Sequence, residues 1–388
     1  MGGRAPYLNA RLQGYTGTIF SEMSALAAST GSINLGQGFP DVDGPDSIKR
    51  AAIAAIEGEH NQYPPLNGIP DLRSAIAGHQ QRHYGLDLDP DAEILVTAGA
   101  TEAIAASILS LCEVGDEVVM FEPYYDAYAA CAAMAGAQRR VVQLRAPDWS
   151  FEPEALEEAV TDRTRLLVVN NPHNPTGKVF SRAELEVIAE VSRRHDLIAI
   201  TDEVYEHLVY ESPHIPLATL PGMAGRTITI SSAAKTFSFT GWKVGWACAR
   251  PELMAAVRTA KQFLTFVNAA PFQYAISEGL NESDDYLVAH AQDLREKRDL
   301  LAAGLDATGF RVIPSAGTFF LTTDITPVTD DDGRTFCLEL PERCGVVAIP
   351  SEAFYDDEEA GRHLVRWMFS RRREVLEEAV ARLALLRQ

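Results

Sequence analysis

The sequence predicts an α/β fold, a mostly parallel β-sheet covered by helices on both faces. Three observations predict it. Short apolar runs recur between residues 93 and 248. Most are continuous rather than alternating, as strands buried on both faces are. Helical patterns lie between several of them, the succession that builds a parallel sheet.

In chain order the runs are Glu93 to Thr97, Glu117 to Phe121, Arg140 to Leu144, Leu166 to Val169, Leu197 to Thr201, Thr227 to Ile230 and Val244 to Cys248. Ser181-Arg182-Ala183-Glu184 is a capping-box signature, and Leu185, Ile188 and Ala189 then share one helical face. Ligands of such sheets bind beyond the carboxyl ends of the strands, so the residues just after each run are the ones to read.

After the first run comes Ala98-Gly99-Ala100-Thr101-Glu102, a small-residue turn opening a helix whose free N–H groups suit a phosphate; an ordinary strand-to-helix turn reads the same way. After Phe121 come Tyr124 and Tyr125, either core packing or a platform for a flat ring. Asn170 to Lys178 holds two X-Pro bonds that fix an irregular backbone able to present Asn174 inward, or simply a turn. Asp202-Glu203-Val204-Tyr205 places a carboxylate at the end of a buried strand, where it needs a partner. Four apolar residues before Asp-Glu also fit the magnesium-binding strand of a P-loop ATPase, but the chain has no G-x-x-x-x-G-K-[ST].

The stretch Ser231 to Gly245 organises the rest. Lys235 stands there among Ala, Ser and Thr after a buried strand. Such a lysine is either a solvated surface residue or a desolvated amine able to form a Schiff base. Ser232 and Lys243 flank it with a hydroxyl and a cation, a pocket suited to phosphate.

Composition frames these sites. With 388 residues and 46% hydrophobic content the chain can bury a large core, and at about 150 residues per domain two or three domains are expected. A formal charge of −20 argues against nucleic acid or an anionic membrane as partner, so local positive charge must hold any anionic ligand. The five cysteines, Cys112, Cys131, Cys248, Cys337 and Cys344, form no C-x-x-C pair and read as reduced core thiols. The start has no signal-peptide core, Pro6 stands where a myristoylation motif wants Ser or Thr, and no apolar run approaches a membrane span. A cytoplasmic location is the expectation.

Asn174, Asp202, Tyr205, Ser232, Lys235 and Lys243, in the motifs Asn-Pro-Thr-Gly, Asp-Glu-Val-Tyr, Ser-x-x-Lys and Gly-Trp-Lys-x-Gly, resemble the signature of the fold-type I pyridoxal-phosphate enzymes, specifically the class I and II aminotransferases. The likeness covers nearly the whole chain. It implies a seven-stranded sheet in a large domain, a small α+β domain, and pyridoxal 5'-phosphate as cofactor. It implies that Lys235 holds the cofactor covalently and carries the Cα proton, and that Asp202 faces the pyridine nitrogen. By the same resemblance Asn174 and Tyr205 bond the ring 3-oxygen, Tyr125 stacks on the ring, and Ala100, Thr101, Ser232 and Lys243 hold the phosphate. Tyr63 resembles the tyrosine that reaches a neighbouring subunit's phosphate, which implies a homodimer with shared sites.

For the substrate, Arg366 resembles the arginine that grips the α-carboxylate, a task suited to a guanidinium fork; a surface arginine is the plain alternative. Gly38 matches a glycine whose backbone approaches that carboxylate; a turn glycine is the alternative. The resemblance divides the chain into an N-terminal arm and part of the small domain (1–44), a large cofactor-binding domain (45–283) and a small C-terminal domain (284–388), with a polar break near Asn281 to Asp285. Tyr286 to Gly304 reads as a long helix. Thr318 to Leu321, Val346 to Ile349 and the strand around Arg366 read as a small sheet, closed by a helix from Arg372 to Leu386.

Asn34 to Pro40, Asn61 to Pro65 and Thr240 to Trp246 are similar to the subgroup holding kynurenine–oxoglutarate, glutamine–phenylpyruvate and bacterial N-succinyldiaminopimelate aminotransferases. Phe20 to Leu26, Ala98 to Ala106 and Ser231 to Ala234 look closest to the last. Thr101 stands where the kynurenine branch commonly places an aromatic residue. The resemblance therefore favours N-succinyl-LL-2,6-diaminopimelate as donor and 2-oxoglutarate as acceptor. A kynurenine, glutamine or methionine aminotransferase of broad specificity and a cysteine-conjugate β-lyase are the alternatives. A cofactor-sensing regulator would need a DNA-binding segment, and the residues before Asn34 are too few and too weakly basic to supply one.

Overall fold

A computed structural model describes residues 7–15, 17–282 and 284–387. Pro6, with the rest of the first six residues, and Ser283 at the expected domain junction lie outside the described residues.

The strands, in order, are β1 (Ile33–Asn34), β2 (Ile94–Thr97), β3 (Glu117–Glu122), β4 (Gln138–Gln143), β5 (Thr164–Asn170), β6 (Ile198–Asp202), β7 (Thr227–Ser232), β8 (Gly245–Cys248), β9 (Arg311–Ile313), β10 (Phe320–Asp324), β11 (Val346–Val347), β12 (Ile349–Pro350) and β13 (Leu364–Met368). Seven form the large sheet, in the order β2-β8-β7-β6-β5-β3-β4. Only β8 runs against its neighbours, β2 and β7. The other pairings are parallel, so β2, β3, β5, β6 and β7 all end on one edge.

Every residue of β2, β3, β6, β7 and β8 is buried, which explains why those runs are continuous rather than alternating. One face packs Leu95, Val118, Met120, Leu166, Val168 and Ile200 under the helix Ala100–Leu111 and its neighbours. The other packs Val119, Phe121, Leu167 and Val169 against Leu185, Ile188 and Ala189 of the helix Arg182–Arg194. That helix begins with the expected capping box: Ser181 Oγ accepts from Glu184 N–H at 3.3 Å, and Ser181 N–H donates to Glu184 Oε2 at 2.8 Å.

The C-terminal strands form a four-stranded antiparallel sheet, β12-β13-β10-β9. Several boundaries differ from the sequence reading. Thr318 has φ 66°, outside the extended region, so β10 begins at Phe320 rather than Thr318. Val346 to Ile349 is not one strand: Val346 and Val347 pair in parallel with Ile33 and Asn34, while Ile349 and Pro350 join β13. The long helix runs Asp284–Thr308, beyond both expected ends. The last helix is α-helical over Arg373–Leu383 and tightens to a 3-10 turn over Ala384–Arg387. All five thiols are free; four are buried and Cys112 is only partly so. Among the described residues no helix is long and apolar enough to cross a membrane.

Candidate active site

The carboxyl edge of the large sheet opens into a cavity of about 510 Å³. Of the expected site residues, Gly38, Ala100, Thr101, Tyr125, Asn174, Asp202, Tyr205, Ser232, Lys235, Lys243 and Arg366 line it. Tyr63 does not. It is 83% exposed, with its ring edge-on to Phe266 at 5.7 Å.

Lys235 sits in the short helical turn Ala233–Thr236 that follows β7. Its amine donates to the Gly38 carbonyl at 3.2 Å and lies 5.6 Å from the centre of the Phe319 ring. Burial pulls its pKa down from 10.5 to about 8; Asp202 opposes the shift, and Lys243 and Arg366 reinforce it. Part-buried, with its amine on the Gly38 carbonyl inside the cavity, Lys235 is not a solvated surface residue. A desolvated amine that loses its proton near neutrality is a usable nucleophile and base.

Asp202 ends β6 and is paired in register with Asn170 at the end of β5. Burial raises its pKa, while a 2.6 Å hydrogen bond donated by the Tyr128 hydroxyl and one from the Val204 N–H pull it back. A cation facing this carboxylate would be strongly favoured. Asn170 spans the two strand ends: its Nδ2 donates to the Asp202 carbonyl at 2.8 Å, and its Oδ1 accepts from Asn174 N–H at 2.7 Å. The Asn-Pro loop is thus pinned to the strand that carries the acid.

An anion cradle forms where β2 meets the helix Ala100–Leu111. Gly99, φ 76°, precedes that helix without any side-chain cap, leaving its first N–H groups free. Lys243 Nζ lies 3.0 Å from the place a Cβ on Gly99 would occupy, and Ser232 ends β7, which β8 separates from β2. Gly245 lets β8 come this close: a Cβ there would stand 2.6 Å from the Gly99 carbonyl carbon and 2.8 Å from the Ala100 nitrogen.

Arg366, on β13, is 1% exposed. Its Nη1 donates to Asn174 Oδ1 at 2.9 Å and its Nη2 to the Gly36 carbonyl at 2.8 Å. Its guanidinium lies 4.0 Å from the Phe320 ring centre, 4.9 Å from Phe354 and 5.2 Å from Phe20. Such cation–π contacts contribute about 0.5–2 kcal/mol each when desolvated. Burial lowers its pKa, yet a guanidinium stays charged. Its Nε–H is buried and unpartnered, the mark of a group waiting for an anionic ligand. The surface-arginine alternative fails.

Sequence reasoning missed several contributors. Gly36 gives its carbonyl to Arg366. Tyr128, one turn after Tyr125, is the hydroxyl donor to Asp202. Phe20, Phe320 and Phe354 come from three distant segments. Gln37, which donates to Ser24 Oγ at 2.7 Å, lines the cavity with it.

The donor set fits a phosphorylated aromatic aldehyde. It offers an amine for the carbonyl, an anion cradle for the phosphate, a carboxylate for a protonated ring nitrogen, and an amide and a phenol for a ring oxygen. Fold and site together define an enzyme that works on amino acids with such a cofactor. The chain belongs to the aminotransferase class I and II family, whose members use pyridoxal phosphate; the family match spans residues 30–383. It is an aminotransferase of fold type I.

Among its relatives, the chain is 52% identical to the probable N-succinyldiaminopimelate aminotransferase DapC of Mycobacterium tuberculosis, over 97% of this chain and 98% of that one. A solved structure of N-succinyldiaminopimelate aminotransferase from Mycobacterium tuberculosis superposes with a TM-score of 0.96 at 52% identity, covering 98% of this chain and 100% of that one. More distant are the methionine aminotransferase of Escherichia coli, 37% identical over 95% of this chain and 96% of that one, and kynurenine–oxoglutarate transaminase 3 of Rattus norvegicus, 36% identical over 95% and 88%.

Proposed function

We propose that this aminotransferase moves the amino group of N-succinyl-LL-2,6-diaminopimelate to 2-oxoglutarate, a step in making lysine and cell-wall precursors. The observation that carries the reading is the 52% identity, spanning both chains almost end to end, to the Mycobacterium tuberculosis relative. The site supports its chemistry. Pyridoxal 5'-phosphate bound there would supply an electron sink for the charge left at the substrate's Cα.

The chain's own residues would do the rest. Lys235 would hold the cofactor and, once displaced by the incoming amino group, move the proton at Cα. Asp202, held by Tyr128, would keep the ring nitrogen protonated. Asn174 and Tyr205 would fix the ring 3-oxygen, Tyr125 would cover the ring face, and Ala100, Thr101, Ser232 and Lys243 would hold the phosphate. Arg366 would grip the α-carboxylate through its free Nε–H, orienting the Cα–H bond toward Lys235. Tyr63, exposed outside the cavity, would complete a partner's phosphate site in a homodimer. Residues 284–388, with the arm 1–44, would form a small domain that closes over the substrate.

The test is a half-reaction assay of the holoenzyme with N-succinyl-LL-2,6-diaminopimelate, L-kynurenine and L-methionine side by side. A second-order rate constant at least a hundredfold higher for the succinylated donor, about 2.7 kcal/mol of discrimination, is expected. If kynurenine or methionine matches it, the chain is a broad-specificity aminotransferase instead. Release of pyruvate from a cysteine conjugate without any keto acid would mark a β-lyase.

A further inference from the structure

Outside the catalytic constellation, three imidazoles meet. His79 and His83 stand one turn apart on the helix Pro70–Tyr84, and His207 reaches them from the loop after β6. Ring centroids are 4.6 Å apart for His79 and His83, 4.9 Å for His79 and His207, and 5.0 Å for His83 and His207. One ring nitrogen from each lies within 4.8 Å of the others. Asp284 Oδ1, at the start of the helix Asp284–Thr308, is 3.3 Å from His83 Nε2.

We propose that His79, His83 and His207 bind a zinc ion, with water in the fourth position. Three imidazole nitrogens and a water are a ligand set that zinc accepts tetrahedrally, and two histidines at i and i+4 on one helix face chelate well. With Zn–N bonds of about 2.0–2.1 Å, ligand atoms sit roughly 3.3 Å apart. The His79 and His207 Nε2 atoms, 2.7 Å apart, need only open by about half an ångström. Asp284, 3.3 Å from His83 Nε2, holds that ring from outside the cluster.

The surroundings support a ligating tautomer. Gln80 Oε1 is buried without a partner, while the same amide's nitrogen lies 3.4 Å from His79 Nδ1. Turning the amide over offers its oxygen to an Nδ1–H and leaves the Nε2 lone pair for the metal, the usual outer-shell arrangement of a ligating histidine. Access runs through a cavity of about 440 Å³ lined by His83, His207 and Asp284. The ion would tie two segments together: the helix Pro70–Tyr84 and the loop carrying Tyr205 two residues before His207.

The test uses the full-length holoenzyme, dialysed against a chelator and titrated with ZnCl2 by calorimetry and with Co2+ by visible absorption. Expected are one Zn2+ per chain, the intense visible bands of tetrahedral Co2+, and a rise in Tm with Zn2+. His83→Ala, at a partly exposed position with no place in the catalytic machinery, should weaken Zn2+ at least tenfold and abolish the Tm rise; Asp284→Asn, on the surface, should weaken it severalfold. The proposal is overturned if wild type binds no Zn2+ at micromolar concentration, if Co2+ gives only weak octahedral bands, or if both variants bind as wild type does.

Discussion

Arg366 Nη1 donates to Asn174 Oδ1 at 2.9 Å, joining the small sheet directly to the loop that follows β5. Asn174 is in turn fixed through its N–H to Asn170, which spans to Asp202. One hydrogen-bonded chain therefore runs from the carboxylate grip to the acid expected at the cofactor's ring nitrogen.

Arg366→Ala should lower kcat/KM for α-amino acids by about 10²–10³-fold, because removing one partner of a buried, hydrogen-bonded charge pair costs about 2–5 kcal/mol. Arg366→Lys should recover only part of this, since a point charge cannot reproduce the fork. Steady-state kinetics with one donor and 2-oxoglutarate, alongside cofactor content by absorbance, make the check; cofactor content should stay at wild-type level.

Tyr128→Phe should reduce kcat by roughly 10–100-fold with cofactor still bound. The hydroxyl is a 2.6 Å donor to buried Asp202, and a hydrogen bond to a charged group contributes about 1.5–3 kcal/mol. Without it burial raises the Asp202 pKa further, so the ring nitrogen loses its counter-charge. Rapid-mixing kinetics of the half-reaction read this loss directly.

Lys235 gives a pH prediction. In the chain without cofactor its amine has a pKa of about 8 against an ordinary 10.5, chiefly through burial. The rate of pyridoxal-phosphate capture should therefore rise tenfold per pH unit below about 8 and level off above it. Lys243→Ala removes a nearby cation, so the midpoint should move up. Linkage has the same sign: between pH 8 and 10.5 the unfolded chain binds more protons at this group than the folded one, so its destabilising contribution is relieved as pH rises through that window. Stopped-flow capture at a series of pH values checks the midpoint.

Gly245→Ala should raise the cofactor dissociation constant at least tenfold and destabilise the fold by about 1–3 kcal/mol. Its Cβ would lie 2.6 Å from the Gly99 carbonyl carbon, inside the anion cradle, where backbone has little room to move. Equilibrium dialysis and a denaturant melt measure the two effects separately.

Much of this site was legible because strand ends carry it. Asn174, Asp202, Ser232 and Lys235 each fall at or just after a run of buried residues, so sequence order alone places them on one edge of the sheet. What was not legible depends on non-local pairing. Nothing in Val346-Val347 announces that it leaves its neighbours to pair with Ile33-Asn34. Likewise the phenylalanines around Arg366 come together only through tertiary packing, and so does His207 with the i, i+4 pair His79 and His83. The start of β10 was misplaced because Thr318 adopts a positive φ that its residue type does not advertise.

The measurement that tests the central claim most directly is borohydride reduction of the pyridoxal-phosphate holoenzyme, followed by peptide mapping of the fixed label. The account predicts a single labelled peptide with the label on Lys235, and no labelling in Lys235→Ala. A label on Lys243 or Lys261, or equal labelling of the variant, would contradict it.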